Sequence, residues 1–343
     1  MYFSYKNIIF ILLLSKINNI ILTMKITIIS HDNWGYNHNI VTALEKRGHI
    51  VNHIDFNTFK YKYPNFSYRI YNFFLKLLFK KNIKNIHFGK EINNRLEALG
   101  QIQDVILTIK GDFIDPQKIL DFKKYTKKSI AFFNDNIYRC PKIIRVLPYF
   151  DEVYSFEKED CEKYNLKFIT NFIYKESKLD LSKSYKYDIF NISSKDNRFR
   201  TISKIAEKLI NLGITSRIIV YDRKNKTKNP NIEFISEYIQ INEVNEFIND
   251  TKFLLDIHRQ KQNGLTFRVF ESLGLQKKLI TTNPNIVHYD FYNPNNILVI
   301  NEENVHFDSD FFSSPYEPIP EDIYVKYTIQ NWIETVFDLH NNS

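Results

Sequence analysis

QKQNGLTFRVFESLGLQKKLITTN, residues 260–283, contains a polar turn, a short helical pattern and a β-rich run, in that order. At about 100° per residue, Val269 and Leu273 fall on one apolar stripe of the helix. Arg268 and Glu271 lie close together on the other side of it, where their spacing suits either a surface ion pair or the binding of a ligand. The run FLLDIHR comes before this stretch, so the helix begins after a strand and a polar loop. A strand, a helix and a further strand in succession are typical of a parallel α/β sheet.

The same alternation of strand and helix occurs in two series along the chain. The first series includes KITIISH, NIVTALEKRGH, IVNHIDF, DVILTIKGD and KSIAFFND, and the second includes YDIFNIS, RTISKIAEKLINLG, SRIIVYD and FLLDIHR. Such alternation predicts parallel sheets, and two series predict two doubly wound, Rossmann-like α/β domains. We expect these domains to face each other across a cleft at the carboxyl ends of their strands.

Composition sets the expected domain boundaries. Residues 175–186, KESKLDLSKSYK, are polar and lack apolar periodicity, so they predict a linker. The linker separates a first domain at 24–174 from a second at 187–312, and one or two terminal helices at 313–343 can cross back. Residues 1–23 are an apolar extension whose unbroken run IIFILLL is too short for a membrane span, and we expect them to lie outside the fold.

Several fingerprints are missing from the sequence, and their absence narrows the function. There is no G-x-G-x-x-G after the first strand and no Walker A motif, which removes support from nicotinamide and P-loop chemistry. There is also no G-x-S-x-G, no H-E-x-x-H and no Cys/His cluster. Cys140 and Cys161 have no metal-binding spacing. We therefore expect neither a cofactor nor a metal.

The net charge of +8 is concentrated in one window of the chain. From Phe56 to Lys90 there are eight Lys or Arg residues and no Asp or Glu. Residues 65–86 interleave Phe and Leu with Lys, and a basic amphipathic helix of this kind suits an anionic membrane surface. A core helix with a solvated basic face explains the pattern equally well. No nucleic-acid-binding module accompanies the charge, so we expect no nucleic-acid partner.

Polar residues that directly follow a strand are the natural ligand contacts of an open α/β sheet. In the first domain, His31 and Asp32 follow the first strand, Asp112 follows DVILTIK, and Asp135 follows AFF. These residues are therefore expected at the cleft.

In the second domain, the loop ISSKDNRFR places Ser193, Lys195 and Arg198 at the entrance of a helix. Small hydroxyl side chains, backbone N–H groups at a helix start and two cations together suit a phosphate. A helix N-cap with solvated charges is the alternative that these residues leave open.

The stretch GLTFRVFESLGLQKKLITTN resembles the donor-site signature of GT-B glycosyltransferases. The similar branch is the group-1-like, CgeB-like one found in lipopolysaccharide and capsule gene clusters. The resemblance rests on Arg268, the run FESL, a small turn and the apolar strand KLITT. It implies a GT-B fold in which Glu271 accepts hydrogen bonds from the ribose hydroxyls of a nucleotide-sugar. Arg268, His258 and Arg259 would then face the diphosphate.

The same resemblance implies that the loop from Lys195 to Arg198 stabilises the leaving phosphate. The donor-binding set that it implies consists of Ser193, Lys195, Arg198, His258, Arg259, Asn263, Thr266, Arg268 and Glu271. Two positions depart from the pattern. Asn263 stands where the related E-x7-E pattern has an acidic residue, and Gln276 replaces the Gly that is usual in the turn. The stereochemical outcome of the reaction is therefore left open.

If the reaction inverts the anomeric centre, a base from the first domain must deprotonate the acceptor hydroxyl. Asp32, Asp135 and Asp112 are the candidates. Each of the three also suits a purely structural role, as the carboxylate of a turn.

The resemblance implies a metal-independent glycosyltransferase that uses a nucleotide-sugar as co-substrate and a glycan or lipid-linked molecule as acceptor. It would build a bacterial surface glycan in the cytoplasm or at the inner face of the membrane. Three alternatives stay open. The first is a nucleotide-sugar epimerase of the UDP-N-acetylglucosamine 2-epimerase type on the same fold. The second is a non-catalytic sugar-nucleotide-binding protein, and the third is a basic nucleic-acid-binding protein.

Overall fold

The computed structural model describes residues 23–177, 183–224 and 226–339. The apolar extension predicted at the start of the chain, apart from Thr23, lies outside the described residues. So does the middle of the predicted linker, from 178 to 182.

The first domain is a six-stranded sheet in which every neighbouring pair of strands is parallel. The strand order is β2-β1-β3-β4-β5-β6. Its strands are β1 (Lys25–Ser30), β2 (Ile50–Asp55), β3 (Gln103–Ile109), β4 (Thr126–Phe133), β5 (Glu152–Ser155) and β6 (Lys167–Phe168). Its α-helices are α1 (His38–Lys46), α2 (Phe66–Phe79), α3 (Ile83–Ala98), α4 (Pro116–Leu120) and α5 (Lys158–Tyr164).

The second domain repeats the architecture with a second six-stranded parallel sheet, in the order β12-β11-β10-β7-β8-β9. Its strands are β7 (Tyr187–Ser194), β8 (Ser216–Tyr221), β9 (Glu233–Ile235), β10 (Thr251–Asp256), β11 (Lys278–Thr281) and β12 (Ile297–Val299). Its helices are α6 (Phe199–Asn211), α7 (Ile241–Asn249), α8 (Phe267–Gly274), α9 (Ser309–Ser313) and α10 (Glu321–Tyr324), and α11 (Ile329–Phe337) follows them in the chain. The prediction of two doubly wound α/β domains is confirmed.

Both sheets are covered on both faces, which explains why their central strands are mostly continuous apolar runs rather than alternating ones. In β1, Ile26 and Ile28 pack into one apolar cluster and Ile29 packs into another. Successive side chains of a strand point to opposite faces, so the two clusters are the two sides of the sheet. The second sheet has the same two-sided core, with Phe190 on one side and Ile189 on the other.

The terminal helix α11 packs against the first domain, although it follows the second domain in the chain. Trp332 and Ile333 belong to the same apolar cluster as Ile26 and Phe132. The Trp332 indole Nε1 donates a hydrogen bond to the carbonyl oxygen of Thr170 at 3.0 Å. Because α11 completes the core of the first sheet, the chain ties its two domains together at its end.

Helix α2 contradicts the prediction of a core helix with a solvated basic face. Among its residues only Asn72 is buried, whereas the Phe and Leu side chains of the helix are largely exposed to solvent. Helix α2 is therefore not a core helix, and binding of a membrane surface by this segment stays a prediction. No helix within the described ranges has both the length and the apolar character needed to cross a membrane.

Candidate active site

A cleft of about 270 Å³ lies between the two domains. It opens where each sheet reverses its strand order, between β1 and β3 in the first domain and between β7 and β10 in the second. Loops that leave neighbouring strands in opposite directions create a crevice at such points, which is where open α/β sheets bind ligands. The charged residues that line the cleft are Asp32, Lys110, Asp135, Arg198, Asp256, Arg259 and Arg268.

Two arginines of the second domain are held together by one carboxylate. Arg198 donates from Nε and Nη2 to the two oxygens of Asp196, each at 2.8 Å, and Arg259 Nε lies 3.1 Å from Asp196 Oδ2. Burial by itself raises the pKa of Asp196, but the hydrogen bonds and the charge of Arg198, with the charge of Arg259, outweigh burial and lower the pKa to about 2. Asp196 is therefore ionised near neutral pH and fixes two guanidinium groups at the cleft.

Only part of the predicted phosphate loop reaches the cleft. Ser193 and Arg198 line it, whereas Lys195 does not. The Lys195 ammonium lies 3.2 Å from Asp222 Oδ2 and also donates to the hydroxyl of Thr227, at the end of β8. The structure thus separates Lys195 from Arg198, and the donor-binding role of Lys195 stays a prediction.

Helix α8 starts at the cleft because its N-cap is anchored to the end of β10. The Thr266 hydroxyl accepts a hydrogen bond from the Arg268 backbone N–H at 3.2 Å and donates one to Asp256 Oδ1 at 2.8 Å. Asp256 Oδ2 in turn accepts from the Thr281 hydroxyl of β11 at 2.9 Å. This buried carboxylate joins two strands to the helix, so the first turn of α8 has a fixed position.

The Arg268–Glu271 pair is buried, which excludes a surface ion pair. The side chain of Arg268 is 8% exposed and that of Glu271 is 1% exposed, with Nη1 and Oε2 2.5 Å apart. Arg268 lines the cleft, but Glu271 lies below its surface. The side of α8 opposite the apolar stripe is therefore covered by protein, and the ribose-binding role of Glu271 stays a prediction.

Two tyrosine hydroxyls cover the Glu271 carboxylate. Tyr174 donates to Glu271 Oε1 at 2.6 Å, and Tyr36, from the loop after β1, donates to the same oxygen at 3.0 Å. Burial first, and then the charge of Glu271, raise the pKa of both tyrosines far above the ordinary value, so both hydroxyls keep their protons. The Tyr36 ring also stacks on Phe267 with centroids 4.2 Å apart. Glu271 thus receives hydrogen bonds from the first domain and from the segment that leaves it.

His31 faces the cleft from the first domain, directly after β1. Its ring stacks on Phe113 with centroids 5.0 Å apart and meets the edge of Phe56 at 5.3 Å. Its Nδ1 atom is buried without a hydrogen-bond partner among the described residues. Burial, and then the charge of Lys110, lower the pKa of this imidazole from 6.5. A neutral histidine in a cleft has the protonation state that a general base requires.

The carboxylates predicted as bases have structural partners. Asp32 accepts hydrogen bonds from the backbone N–H groups of Trp34, Gly35 and Asn37 at 3.2, 2.7 and 2.8 Å, which fixes the loop before α1. It lines the cleft, but both of its oxygens are engaged by its own loop.

Asp135 also lines the cleft, but among cations. Its oxygens lie 2.7 Å from Arg139 Nη1, 3.7 Å from Lys110 Nζ and 3.9 Å from Arg259 Nη1. The third contact comes from the second domain, so Asp135 joins the two walls of the cleft. Asp112 lies outside the cleft, and burial raises the pKa of its carboxyl to about 6.

The remaining predicted donor residues lie beside the cleft rather than on its wall. The His258 Nδ1 atom lies 2.9 Å from the Thr282 hydroxyl. The Asn263 side chain donates to Glu159 at 2.7 Å, and its backbone N–H donates to Glu157 at 2.8 Å. Asn263 therefore joins the second domain to α5 and to the residue before it. Within the described part of the chain, no three His, Cys, Asp or Glu side chains are grouped so that they could hold a metal ion.

Sequence reasoning missed the groups that organise the site: Tyr36, Tyr174, Asp196 and Asp256. Tyr36 and Tyr174 carry no local signal, because the contacts to Glu271 span 235 and 97 positions. Asp196 lies inside the loop ISSKDNRFR, two positions before Arg198, and a carboxylate so placed in a cationic loop was a usable signal. Asp256 ends an apolar strand, where a polar residue is expected to reach the cleft.

Neither protein-family models nor curated proteins match this sequence. Solved structures match over most of its length. The UDP-N-acetylglucosamine 2-epimerase from Rickettsia bellii is 12% identical, with 93% of this chain and 97% of that chain covered at a TM-score of 0.50. The glycotransferase of kitacinnamycin is 11% identical, with 92% of this chain and 99% of that chain covered at a TM-score of 0.48. The UDP-GlcNAc 2-epimerase from Neisseria meningitidis bound to UDP-GlcNAc is 10% identical, with 91% and 99% covered and a TM-score of 0.49.

The chain has the GT-B fold. Two doubly wound domains that face each other across a cleft define this architecture, and the similarity to the Rickettsia bellii structure extends over both domains. An identity of 12% shows a shared fold and nothing finer. In the GT-B arrangement, the cleft described above is the space between the domains, and both sheets present the carboxyl ends of their strands to it.

Proposed function

We propose that this GT-B protein is a glycosyltransferase that moves a sugar from a nucleotide-sugar donor to a growing bacterial surface glycan, lipopolysaccharide or capsule. The observation that carries the proposal is the asymmetry of the cleft. Its second-domain wall carries three guanidinium groups, on Arg198, Arg259 and Arg268, whereas its first-domain wall carries one lysine, Lys110, and a neutral histidine, His31. Positive charge on one side and a base on the other suit glycosyl transfer from a diphosphate.

The arginines are the groups that would hold the diphosphate. Guanidinium groups bind phosphate oxygens through two parallel N–H bonds, and the anchored N-terminus of α8 adds backbone N–H groups nearby. As the sugar leaves, negative charge grows on the diphosphate, and cations fixed beforehand stabilise that charge without reorganising. The chain itself therefore supplies the charge that a metal-independent transfer needs.

Glu271 is proposed to accept hydrogen bonds from the ribose hydroxyls, which would replace one of its present tyrosine donors. Its Oε1 atom now accepts from Tyr36 at 3.0 Å and from Tyr174 at 2.6 Å. Tyr36 makes the longer bond and belongs to the opposite domain, so a small opening of the cleft releases it first. A ribose hydroxyl that donates to Oε1 would then replace the Tyr36 hydroxyl without leaving the buried carboxylate unsatisfied.

His31 is proposed as the base in place of the three aspartates, under an inverting reaction. The acceptor oxygen forms a bond to the anomeric carbon, and its proton passes to the neutral imidazole. The bond from that carbon to the diphosphate oxygen breaks, and the electron pair leaves with the diphosphate. Asp32 is committed to backbone N–H groups and Asp135 to cations, so neither is as free to take a proton.

The acceptor is proposed to be a glycan or a lipid-linked molecule, reached from the first-domain side of the cleft. The enzyme would then act in the cytoplasm, at the inner face of the membrane. This placement follows from the resemblance of GLTFRVFESLGLQKKLITTN to the donor signature of surface-glycan transferases.

The first test is a thermal-shift screen of the full chain against UDP-, GDP-, CMP- and dTDP-sugars. We expect one nucleotide class to raise the unfolding temperature, because a ligand that binds only the folded state stabilises it. If no nucleotide-sugar shifts the transition, the proposal is wrong.

The second test separates a transferase from an epimerase, because the fold is shared with a UDP-N-acetylglucosamine 2-epimerase. The radiolabelled donor from the screen is incubated with the protein alone and with glycan or lipid-linked acceptors. A transferase leaves the donor sugar unchanged until an acceptor is added. Conversion of the donor without acceptor would assign the protein to the epimerases instead.

A further inference from the structure

Helix α2 presents an apolar stripe to solvent instead of to the core. At about 100° per residue, six large side chains fall within one arc of the helix, a little under half its circumference. They are Phe66, Ile70, Phe73, Phe74, Leu77 and Leu78, and each is between 46% and 71% exposed. Contiguous apolar surface of this size on a folded protein marks an interaction site.

The opposite side of α2 holds the helix to the first domain. Asn72, the buried residue of the helix, donates to the Tyr63 hydroxyl at 2.7 Å and accepts from the Ile83 backbone N–H at 2.9 Å. The N-cap Asn65 accepts from the Tyr68 backbone N–H at 3.1 Å. The orientation of α2 is therefore fixed by polar contacts, and the outward direction of the stripe follows from them.

Positive charge borders the stripe. Arg69, Lys76 and Lys80 fall along one edge of it, and Lys81 and Lys84 follow at the end of the helix. Arg69, Lys76, Lys80, Lys81 and Lys84 are all exposed. None of the five forms an ion pair with a carboxylate among the described residues.

More cations join at the C-terminal end of the helix. Arg145 Nη1 donates to the Lys80 carbonyl at 2.6 Å, which places Arg145 and the nearby Lys142 beside this end. Arg145 and Lys142 line a small pocket at this end of the helix together with the carboxylates of Asp112 and Asp115, which offset part of the positive charge.

We propose that α2 binds the surface of an anionic lipid bilayer, with its apolar stripe between the headgroups and its cations on the lipid phosphates. An interfacial helix needs this combination of an apolar face and a basic edge. Two other occupants lack charge complementarity. A second copy would bring the same cations together, and the apolar first 22 residues carry Lys6 and Lys16 but no carboxylate.

The test is vesicle flotation of the full chain with phosphatidylcholine vesicles and with vesicles that also contain phosphatidylglycerol. We expect binding to the mixed vesicles and not to phosphatidylcholine alone, with weaker binding in high salt. Equal binding to the two vesicle types, or no binding to either, overturns the proposal.

Variants of the stripe show whether α2 is the surface involved. Phe73→Ser with Leu77→Ser is expected to weaken binding by about tenfold or more, because the variant loses the transfer of two apolar side chains from water into the bilayer. The matched control is Ile210→Ser with Leu212→Ser, which removes side chains 51% and 50% exposed on the second domain. Equal loss in both variants, or no loss in the α2 variant, overturns the proposal.

Variants of the basic edge test the electrostatic part. Lys76→Gln with Lys80→Gln is expected to weaken binding to the mixed vesicles about fivefold for each lysine removed. Lys204→Gln with Lys208→Gln, two exposed lysines of α6, is the control and leaves binding unchanged. A concentration-dependent dimer lost in the Phe73→Ser, Leu77→Ser variant would assign the stripe to a second copy. Binding of duplex DNA that is lost in the Lys76→Gln, Lys80→Gln variant would assign the basic edge to a nucleic-acid partner.

Discussion

Glu271 and Arg268 are two opposite charges in an almost fully buried helix. Desolvation of such a pair is costly, and the structure offsets the cost with further hydrogen bonds on the carboxylate. Glu271 Oε1 accepts hydrogen bonds from the Tyr174 and Tyr36 hydroxyls, and Oε2 forms an ion pair with Arg268 Nη1 at 2.5 Å. Loss of one member would leave the other buried and uncompensated, so this cluster is sensitive to single substitutions.

Glu271→Ala is therefore expected to lower the free energy of unfolding by about 3–5 kcal/mol, because Arg268 becomes an unpaired buried charge. Tyr36→Phe removes one hydroxyl and is expected to cost only about 0.5–1.5 kcal/mol. Chemical denaturation of the purified variants measures both values. Lys326→Ala is the control, since its ion pair with Asp290 is exposed and contributes little to stability. Equal effects of Glu271→Ala and Lys326→Ala would contradict this description of the cluster.

The proposed role of His31 as a base makes the activity depend on pH. Burial and the charge of Lys110 lower the pKa of His31 from 6.5, so the imidazole is still neutral at a pH somewhat below 6.5. We expect kcat/KM to be constant above 6.5 and to fall at a lower pH. The free energy of unfolding also decreases as the pH falls below 6.5, because the imidazole of the unfolded chain binds a proton at a higher pH than that of the folded chain.

Two variants locate that titration. Lys110→Met removes a cause of the lowered pKa and should move the acidic limb of the profile to higher pH. His31→Gln should reduce kcat by about 10²–10⁴-fold and abolish the limb. A limb that stays in place in both variants would show that another group titrates.

At the scale of elements, the amphipathic pattern of α8 identified its apolar stripe correctly but gave no information on its other face. The periodicity of a helix depends on its own residues alone. The side of α8 that carries Glu271 is buried because Tyr36 and Tyr174, from distant parts of the chain, pack on it. For α2 the pattern was equally clear, and the periodicity alone did not decide whether the stripe faced the core or solvent. Polar contacts at Asn72 decide that direction.

Close packing at the end of α8 gives a prediction for the element. A Cβ on Gly274 would meet the backbone carbonyl oxygen of Lys175, which cannot move aside as a side chain would. Gly274→Ala should therefore destabilise the protein by more than Gly213→Ala. Gly213 has a φ of +71° but open space around it, so an alanine there costs only about 1–2 kcal/mol of backbone strain. Thermal unfolding of the two variants compares them, and the reverse order would contradict the packing argument.

At the scale of the whole molecule, alternating strands and helices were enough to predict the two-domain fold, because parallel sheets depend on local patterns repeated along the chain. The way the domains meet was not predictable. It depends on single polar contacts between distant residues, such as Asn263 with Glu157 and Tyr36 with Glu271. The same contacts decide which predicted donor residues reach the cleft, since Arg198 lies there and Lys195 turns to Asp222.

The arginines of the cleft are proposed to bind the nucleotide-sugar, and its affinity is the quantity to measure. Calorimetric titration of the full chain with the nucleotide-sugar selected by thermal shift measures it most directly, with Arg259→Ala and Lys204→Ala as a matched pair of lost cations. We predict that Arg259→Ala raises Kd about tenfold or more, because a charge-assisted hydrogen bond to the diphosphate is lost. Lys204 is an exposed residue of α6 outside the cleft, and its loss should change Kd by no more than about twofold. Equal effects of the two substitutions, or binding unaffected by Arg259→Ala, would contradict the claim.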